Sequence, residues 1–350
     1  MKKVFLKKIR SAAVFLLSLF LLAGCSNAEM QGETVSTPDE DSIMIGMSFD
    51  SFLIERWQRD RDIFVQTAKD LGAEVNVQNA NGDIEEQKKQ IRYLIEKGAN
   101  VIVVVCIDSD SLSDVVKEAK DAGIRVIAYD RLINNSDIDL YVSFDNEMVG
   151  TLMGRSLIRK GVGGGKVIII GGSVQDNNVH LVEGGFKKVM SDNKVEIIGT
   201  THCDGWRSEL ASEYLYDNQE LLSECDAIMC GNDNIASQVV NVLSVQRLAG
   251  DILVTGQDAD LEACQRIVEG TQVMTVYKPV EKLARCAAEC AVMLAKGEEI
   301  TGYDVIVTDN GFKEVPYVNL EPVMVTKENM DETIISSGFH TRDEVYLNVK

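Results

Sequence analysis

Residues 101–129 read VIVVVCIDSDSLSDVVKEAKDAGIRVIAY, and this stretch decides the fold. Its first five residues are apolar without interruption, the pattern of a strand covered on both faces. Leu112, Val115, Val116 and Ala119 then fall at i, i+3, i+4 and i+7, which predicts a helix over 112–122 with one buried stripe and a charged outer face. A second apolar run, IRVIAY, follows. Strand, helix and strand in this order are the repeat of a parallel sheet flanked by helices.

The rhythm extends in both directions. IMIGMS with a helix over 55–71 and EVNVQ with a helix over 84–96 precede the stretch. After LYVSF it restarts: a helix over 146–159, KVIIIGG, 178–190, KVEIIGT, 208–222, AIMCG, 235–248, DILVTG, 261–269 and QVMTVY. The expected fold class is therefore α/β, with two doubly wound parallel-sheet lobes. A further helix over about 280–296 and a β-rich stretch at about 316–325 would let the chain return to the first lobe. No Pro- or Ser-rich linker interrupts 143–147, so a structured, multi-strand hinge is expected. The expected division is 43–145 plus about 279–310 for the first lobe, and 146–278 plus about 311–345 for the second.

The N-terminus is different in kind. MKKVFLKKIR carries five cations and no acid, and the apolar run after it is too short to span a bilayer comfortably, so 1–24 reads as an export signal. Leu22-Ala23-Gly24-Cys25 resembles the lipobox cut by a bacterial lipoprotein signal peptidase. Cleavage before Cys25 would put a diacylglyceryl anchor on that residue and leave polar 25–42 as a tether, with the protein outside the cytoplasm on the cell membrane. The whole chain has 35 basic and 55 acidic residues, a formal −20, and losing the leader makes it −25. Such a surface repels phosphate backbones, so nucleic acid is not an expected partner.

Seven cysteines follow Cys25, an odd number that cannot all pair. Cys286 and Cys290 are one helical turn apart, but no CxxC or nearby histidine completes a zinc pattern, so neither metal nor cofactor is expected and the thiols are read as buried and free.

In open parallel sheets ligands bind beyond the carboxyl ends of the strands. The polar and aromatic residues that follow the apolar runs, before or at the start of the next helix, are Arg56-Trp57, Asp130-Arg131, Asp176-Asn177-Asn178, Asp204-Gly205-Trp206, Asn232-Asp233, Gln257-Asp258 and Lys278. Both tryptophans of the chain are among them. Carboxylates, amides and cations satisfy hydroxyls that both donate and accept, and an indole packs on the C–H face of a pyranose. Arg56, Asp130, Arg131, Asp258 and Lys278 together carry a formal +1, which favours a neutral polyol. Each residue also has an ordinary explanation: Asn178 and Asn232 as helix caps, Asp130-Arg131 as an exposed pair, the tryptophans as core.

At these residues the sequence resembles a known family. IGMSFD with ERWQRDRDIF, AYDRLIN with SFDNE, GGSVQDNN, DGW, GNDN, TGQDAD and TVYKP resemble periplasmic D-xylose-binding proteins, over about 43–340. The resemblance implies the type I periplasmic-binding-protein fold and a substrate-binding component of an ABC importer, expected to be a monomer. It also implies a pentose held by residues matching Arg56, Asp130, Arg131, Asn178, Asn232, Asp258 and Lys278, with Trp57 and Trp206 stacking on it. Two departures are the tether at Cys25 and Val174 where the family often has proline. A hexose such as glucose, or a chemoreceptor or sensor kinase in place of the permease, is the alternative reading.

An enzyme would need a nucleophile, base or metal, and His180, His202 and His340 have no partner at motif spacing. Gly161 to Lys166 fails the P-loop pattern, since Lys160 and Val167 stand where Gly and Ser/Thr are required. A sugar-responsive repressor would carry a helix-turn-helix where this chain has its leader.

Overall fold

The computed structural model describes residues 42–349; the expected leader, Cys25 and nearly all of the tether lie outside the described residues. The first lobe begins β1 (Ile43–Phe49), α1 (Arg56–Asp70), β2 (Ala73–Asn79), α2 (Ile84–Glu96), β3 (Val101–Val104), α3 (Ser113–Asp121), β4 (Arg125–Tyr129) and β5 (Leu140–Phe144). The second runs α4 (Asn146–Arg159), β6 (Lys166–Gly171), α5 (Asn177–Asp192), β7 (Glu196–His202), α6 (Glu209–Asp217), α7 (Gln219–Leu222), β8 (Ala227–Cys230), α8 (Asp233–Val245), β9 (Leu253–Gln257), α9 (Leu261–Glu269) and β10 (Met274–Tyr277). Then follow α10 (Val280–Ala295), β11 (Val305–Asp309), β12 (Glu314–Leu320), β13 (Val323–Val325) and α11 (Arg342–Val345).

The uninterrupted apolar strands are covered on both sides. Val101 and Val103 enter a core with Phe64 and Ala68 of α1 and Leu283 and Ala287 of α10. Ile102 and Val104, pointing the other way, enter a core with Leu94 of α2 and Val115 and Val116 of α3. The second lobe repeats the device, with Ile168 and Ile170 on one face of β6 and Val167 and Ile169 on the other. Strand order is β11-β12-β5-β4-β3-β1-β2 in one sheet and β13-β10-β9-β8-β6-β7 in the other. Only β11 and β13 run antiparallel to their neighbours. The predicted helix over 208–222 is broken at Asn218, whose φ of −127° and ψ of 44° separate α6 from α7.

One expected boundary moves. The sequence places residues from about 311 in the second lobe, but β12 pairs in parallel with β5 from Tyr317↔Tyr141 to Leu320↔Phe144 and belongs to the first sheet. Its hairpin partner β11 goes with it. The chain crosses after Leu320, where β13 pairs with β10, and 326–349 then packs on the second lobe through Met330, Ile334, Phe339 and Val345. The lobes are thus joined by three strands, between β5 and α4, between β10 and α10, and between β12 and β13.

The two lobes place an aspartate at the same topological point, directly after the fourth parallel strand. Asp130 follows β4 with φ 63° and Asp258 follows β9 with φ 96°, a left-handed backbone rare for residues other than glycine. Each N–H donates at 2.8 Å to the fifth strand, to Val142 O and Val276 O respectively. In the second lobe the turn is held by buried Asp233, which accepts from Asp260 N at 3.1 Å, Thr275 Oγ1 at 2.7 Å and Gln272 Nε2 at 2.8 Å. Burial raises the Asp233 carboxyl to about 7, against the opposing pull of Arg266. A carboxyl raised on folding contributes stability that is full below its ordinary value of 3.8 and is lost as pH rises through about 7. Thermal unfolding of Asp233→Asn against wild type should therefore shift in the variant's favour between pH 5 and pH 8.5, and a difference constant across that range would contradict the assignment.

Candidate functional site

The loops beyond the strand ends of both sheets enclose one cavity. Its wall includes Arg56, Trp57, Asp130 and Arg131 on one side and Asn146, Gly171, Gly172, Asp176, Asn178, Val182, Glu183, Trp206, Gly231, Gln257, Asp258 and Lys278 on the other. Counting its open mouth, it holds about 470 Å³ of space not filled by protein atoms. Eight of the nine expected binding residues line it. Asn232 does not: its Oδ1 accepts from Ile235 N at 3.0 Å and caps α8, so the helix-capping explanation accounts for its side chain, while its neighbour Gly231 reaches the cavity.

Buried charge organises the wall. Arg56, at the start of α1, forms a two-pronged pair with Asp60 one turn on, through Nη2 at 2.8 Å and Nε at 3.2 Å, and Nη1 reaches Asp130 at 2.9 Å. Tyr129 also donates to Asp60. Arg131 contacts Asp50 at 2.8 Å and Cys106 O at 3.0 Å through Nη1, and Asp176 at 2.7 Å through Nε. Lys278 Nζ lies 2.8 Å from Asp258 Oδ1 as an ion pair, without the alignment of a hydrogen bond. Burial alone would push Asp130 up, but Arg56, Lys278 and Arg131 hold its carboxyl below the ordinary value. For Asp50, Asp60 and Asp176 burial outweighs the arginines and the carboxyls are raised.

Several of these contacts join the lobes. Arg131–Asp176 is one, and Asn178 Nδ2 donates to Asp130 O at 3.0 Å and Oδ1 at 3.3 Å. Ser109 N donates to Gln175 O at 2.9 Å, and Asn177 N to Ser109 Oγ at 3.1 Å. The Asp130 carbonyl also accepts from Tyr141 OH at 3.0 Å and Ser143 Oγ at 2.6 Å. Three donors on one carbonyl fix the left-handed turn that aims its carboxylate at Arg56.

The tryptophans approach from opposite lobes, their ring centres 5.6 Å (Trp57) and 5.9 Å (Trp206) from the Arg131 guanidinium carbon. Trp57 also carries Arg56 at 4.5 Å. The Trp206 ring lies on the backbone of Gly172: a Cβ there would sit 2.2 Å from the indole. Each indole N–H is buried without an acceptor. The seven cysteines of the described residues are free and buried, and among those residues no cluster of His, Cys, Asp and Glu is fit to hold a metal ion.

Asp50 and Asp60 are not named by the sequence reading, and Asp176 and Gln257 are named there without being among the nine expected contacts. Asp176 and Gln257 stand in the row of strand-end residues, and Asp60 is spaced four residues from Arg56 on one helix, so a signal existed for three of them. Because Arg131 and Asp176 are each almost wholly buried, removing Asp176 leaves the Arg131 guanidinium with one carboxylate partner, Asp50, in low dielectric. With ligand holding the lobes in this arrangement, Asp176→Ala, which also removes the cap of α5, should lower unfolding stability by about 2 kcal/mol or more, whereas Asp121→Ala, which breaks an exposed pair with Lys117, should cost less than about 1 kcal/mol. Equal urea midpoints for the two variants would contradict this account of the wall.

A model of the periplasmic binding protein domain matches residues 45–299. The D-xylose-binding periplasmic protein of Haemophilus influenzae is 43% identical over 316 residues, spanning 89% of this chain and 94% of its own. The protein of the same description from Escherichia coli is 44% identical over 308 residues, spanning 87% and 92%. Among solved structures, an ABC transporter solute-binding protein from Clostridium phytofermentans with bound β-D-glucose superposes with a TM-score of 0.78 at 31% identity, covering 86% of this chain and 99% of that one. These relatives are binding proteins and not enzymes. With two parallel-sheet lobes, three crossings and a cavity between them, this chain belongs to the periplasmic-binding-protein family, with the type I fold.

Proposed function

We propose that this protein is a lipid-anchored extracytoplasmic receptor that closes on a neutral pentopyranose, D-xylose, and delivers it to the permease of an ABC importer. The observation that carries the reading is the wall itself, which neither lobe completes alone. One lobe supplies Arg56, Trp57, Asp130 and Arg131, the other Asn178, Trp206, Asp258 and Lys278. Three buried cations in and around the wall meet six buried carboxylates, Asp50, Asp60, Asp130, Asp176, Glu183 and Asp258, a formal −3 that opposes an anionic ligand. The D-xylose-binding relatives support the choice of sugar. Glucose is the second reading, favoured by the glucose-bound solved structure and by the apolar part of the wall at Val179, Val182 and Met229.

The anchor rests on Leu22-Ala23-Gly24-Cys25 and the basic flank before it. Cys25→Ala should release or misprocess the protein, and an unmodified Cys25 in the intact mass of a wholly soluble wild type would refute the anchor. For the sugar, calorimetry should give one site, tighter for D-xylose than for D-glucose, with D-xylonate not bound. At about 100 times its dissociation constant the sugar should add about 2.7 kcal/mol to unfolding stability. Tight glucose binding with none for xylose would overturn the choice of pentose.

A further inference from the structure

Most polar side chains in the cavity wall are already engaged by other protein groups. Asp130 is held by Arg56, Arg131 by Asp50 and Asp176, Asp258 by Lys278, and Asn178 by Asp130. Gln257, the last residue of β9, is engaged at one end only. Its Nε2 donates to Gly231 O at 2.5 Å, while its Oε1 is buried without a partner in a side chain that is 5% exposed and lines the cavity.

The orientation of this carboxamide follows from chemistry. A backbone carbonyl only accepts, so the end of Gln257 that meets Gly231 O must be the nitrogen, and the oxygen is left for the cavity. The backbone on either side is fixed. A Cβ on Gly256 would collide with Asp233 Oδ1 at 2.1 Å, and Asp258 N is bound to Val276 O. Gly231 is equally constrained, since a Cβ there would lie 2.5 Å from Gly172 N. Oε1 is therefore a pre-set, uncharged acceptor. The buried Nε1 donors of Trp57 and Trp206 are unpartnered in the same way. A hydroxyl group complements such a wall because it donates to the amide oxygen and accepts from an indole.

We propose that Gln257 is a specificity-determining residue whose Oε1 accepts a hydrogen bond from one hydroxyl of the bound monosaccharide. This rests on the sugar reading above. A ligand lacking that hydroxyl leaves a buried acceptor unsatisfied, a loss of about tenfold or more in affinity.

The test is a cycle across protein and ligand. Calorimetry on the full chain compares wild type and Gln257→Leu with D-xylose, its 2-, 3- and 4-deoxy analogues and 1,5-anhydroxylitol. Gln257→Leu should weaken D-xylose binding about tenfold or more. For one analogue, the one without the partner hydroxyl, the two proteins should bind alike, and the other three analogues should keep the full difference. Unchanged xylose binding overturns the proposal. So does a wild-type to variant ratio that is the same for every ligand, because loss of the Gly231 tether alone would act uniformly. If the leucine variant folds poorly, Gln257→Met, closer in length, runs through the same cycle. Wild type that binds no member of the panel would overturn the sugar reading itself, which separates that failure from a failure of the Gln257 assignment.

Discussion

The structure depends on one constraint: Arg56 and Arg131 are buried, and two guanidinium ions removed from water are tolerable only when carboxylates surround them. The strand-end loops around the cavity are arranged to meet that demand. Asp60 is placed by helical spacing, Asp50 by the end of β1, and Asp130 by a left-handed turn that its own carbonyl contacts hold in place. The last partner, Asp176, comes from the other lobe. The contact between the lobes is therefore part of neutralising the first lobe's charge.

The halves share a plan and divide the work. Both sheets place their first five strands in the order 2-1-3-4-5, and both set an aspartate in left-handed conformation after the fourth. The first lobe builds that aspartate into a network of arginines. The second gives it one lysine, and around it lays a softer floor of Gly171, Gly172, Gly231, Val182 and Met229 under Trp206. Glycine is required on that floor because a Cβ would meet the Glu183 and His202 side chains at Gly171, the Trp206 ring at Gly172 and the Gly171-Gly172 backbone at Gly231. A polar rim facing an apolar, close-packed floor suits a ligand with hydroxyls at its edge and C–H on its face.

Much of this was legible in the sequence. The fold followed from VIVVV and its relatives, because a strand apolar at every position has no solvent face to show, and Ile102 and Val103 do enter different cores. Strand-end residues could be read as a row because topology fixes which end of a parallel sheet is open to ligand. What could not be read was partnership. Nothing local distinguishes Asn232, which caps its helix, from Asn178, which spans the lobes. Asp50 and Asp176 gain their role only from Arg131, remote in sequence from both. The last crossing was misplaced for a similar reason, since β12 and β13 form one β-rich stretch broken only by Glu321-Pro322, and pairing, not composition, sends them to different sheets.

The central claim is that a neutral monosaccharide draws the two lobes into the arrangement described, with Arg131 meeting Asp176 and Asn178 meeting Asp130 across the cleft. Small-angle X-ray scattering of the full chain, without sugar and at saturating D-xylose, tests it most directly. The account predicts a smaller radius of gyration on saturation, as hinge closure brings the lobes together. An identical radius in both samples, with calorimetry showing the site filled, would contradict it.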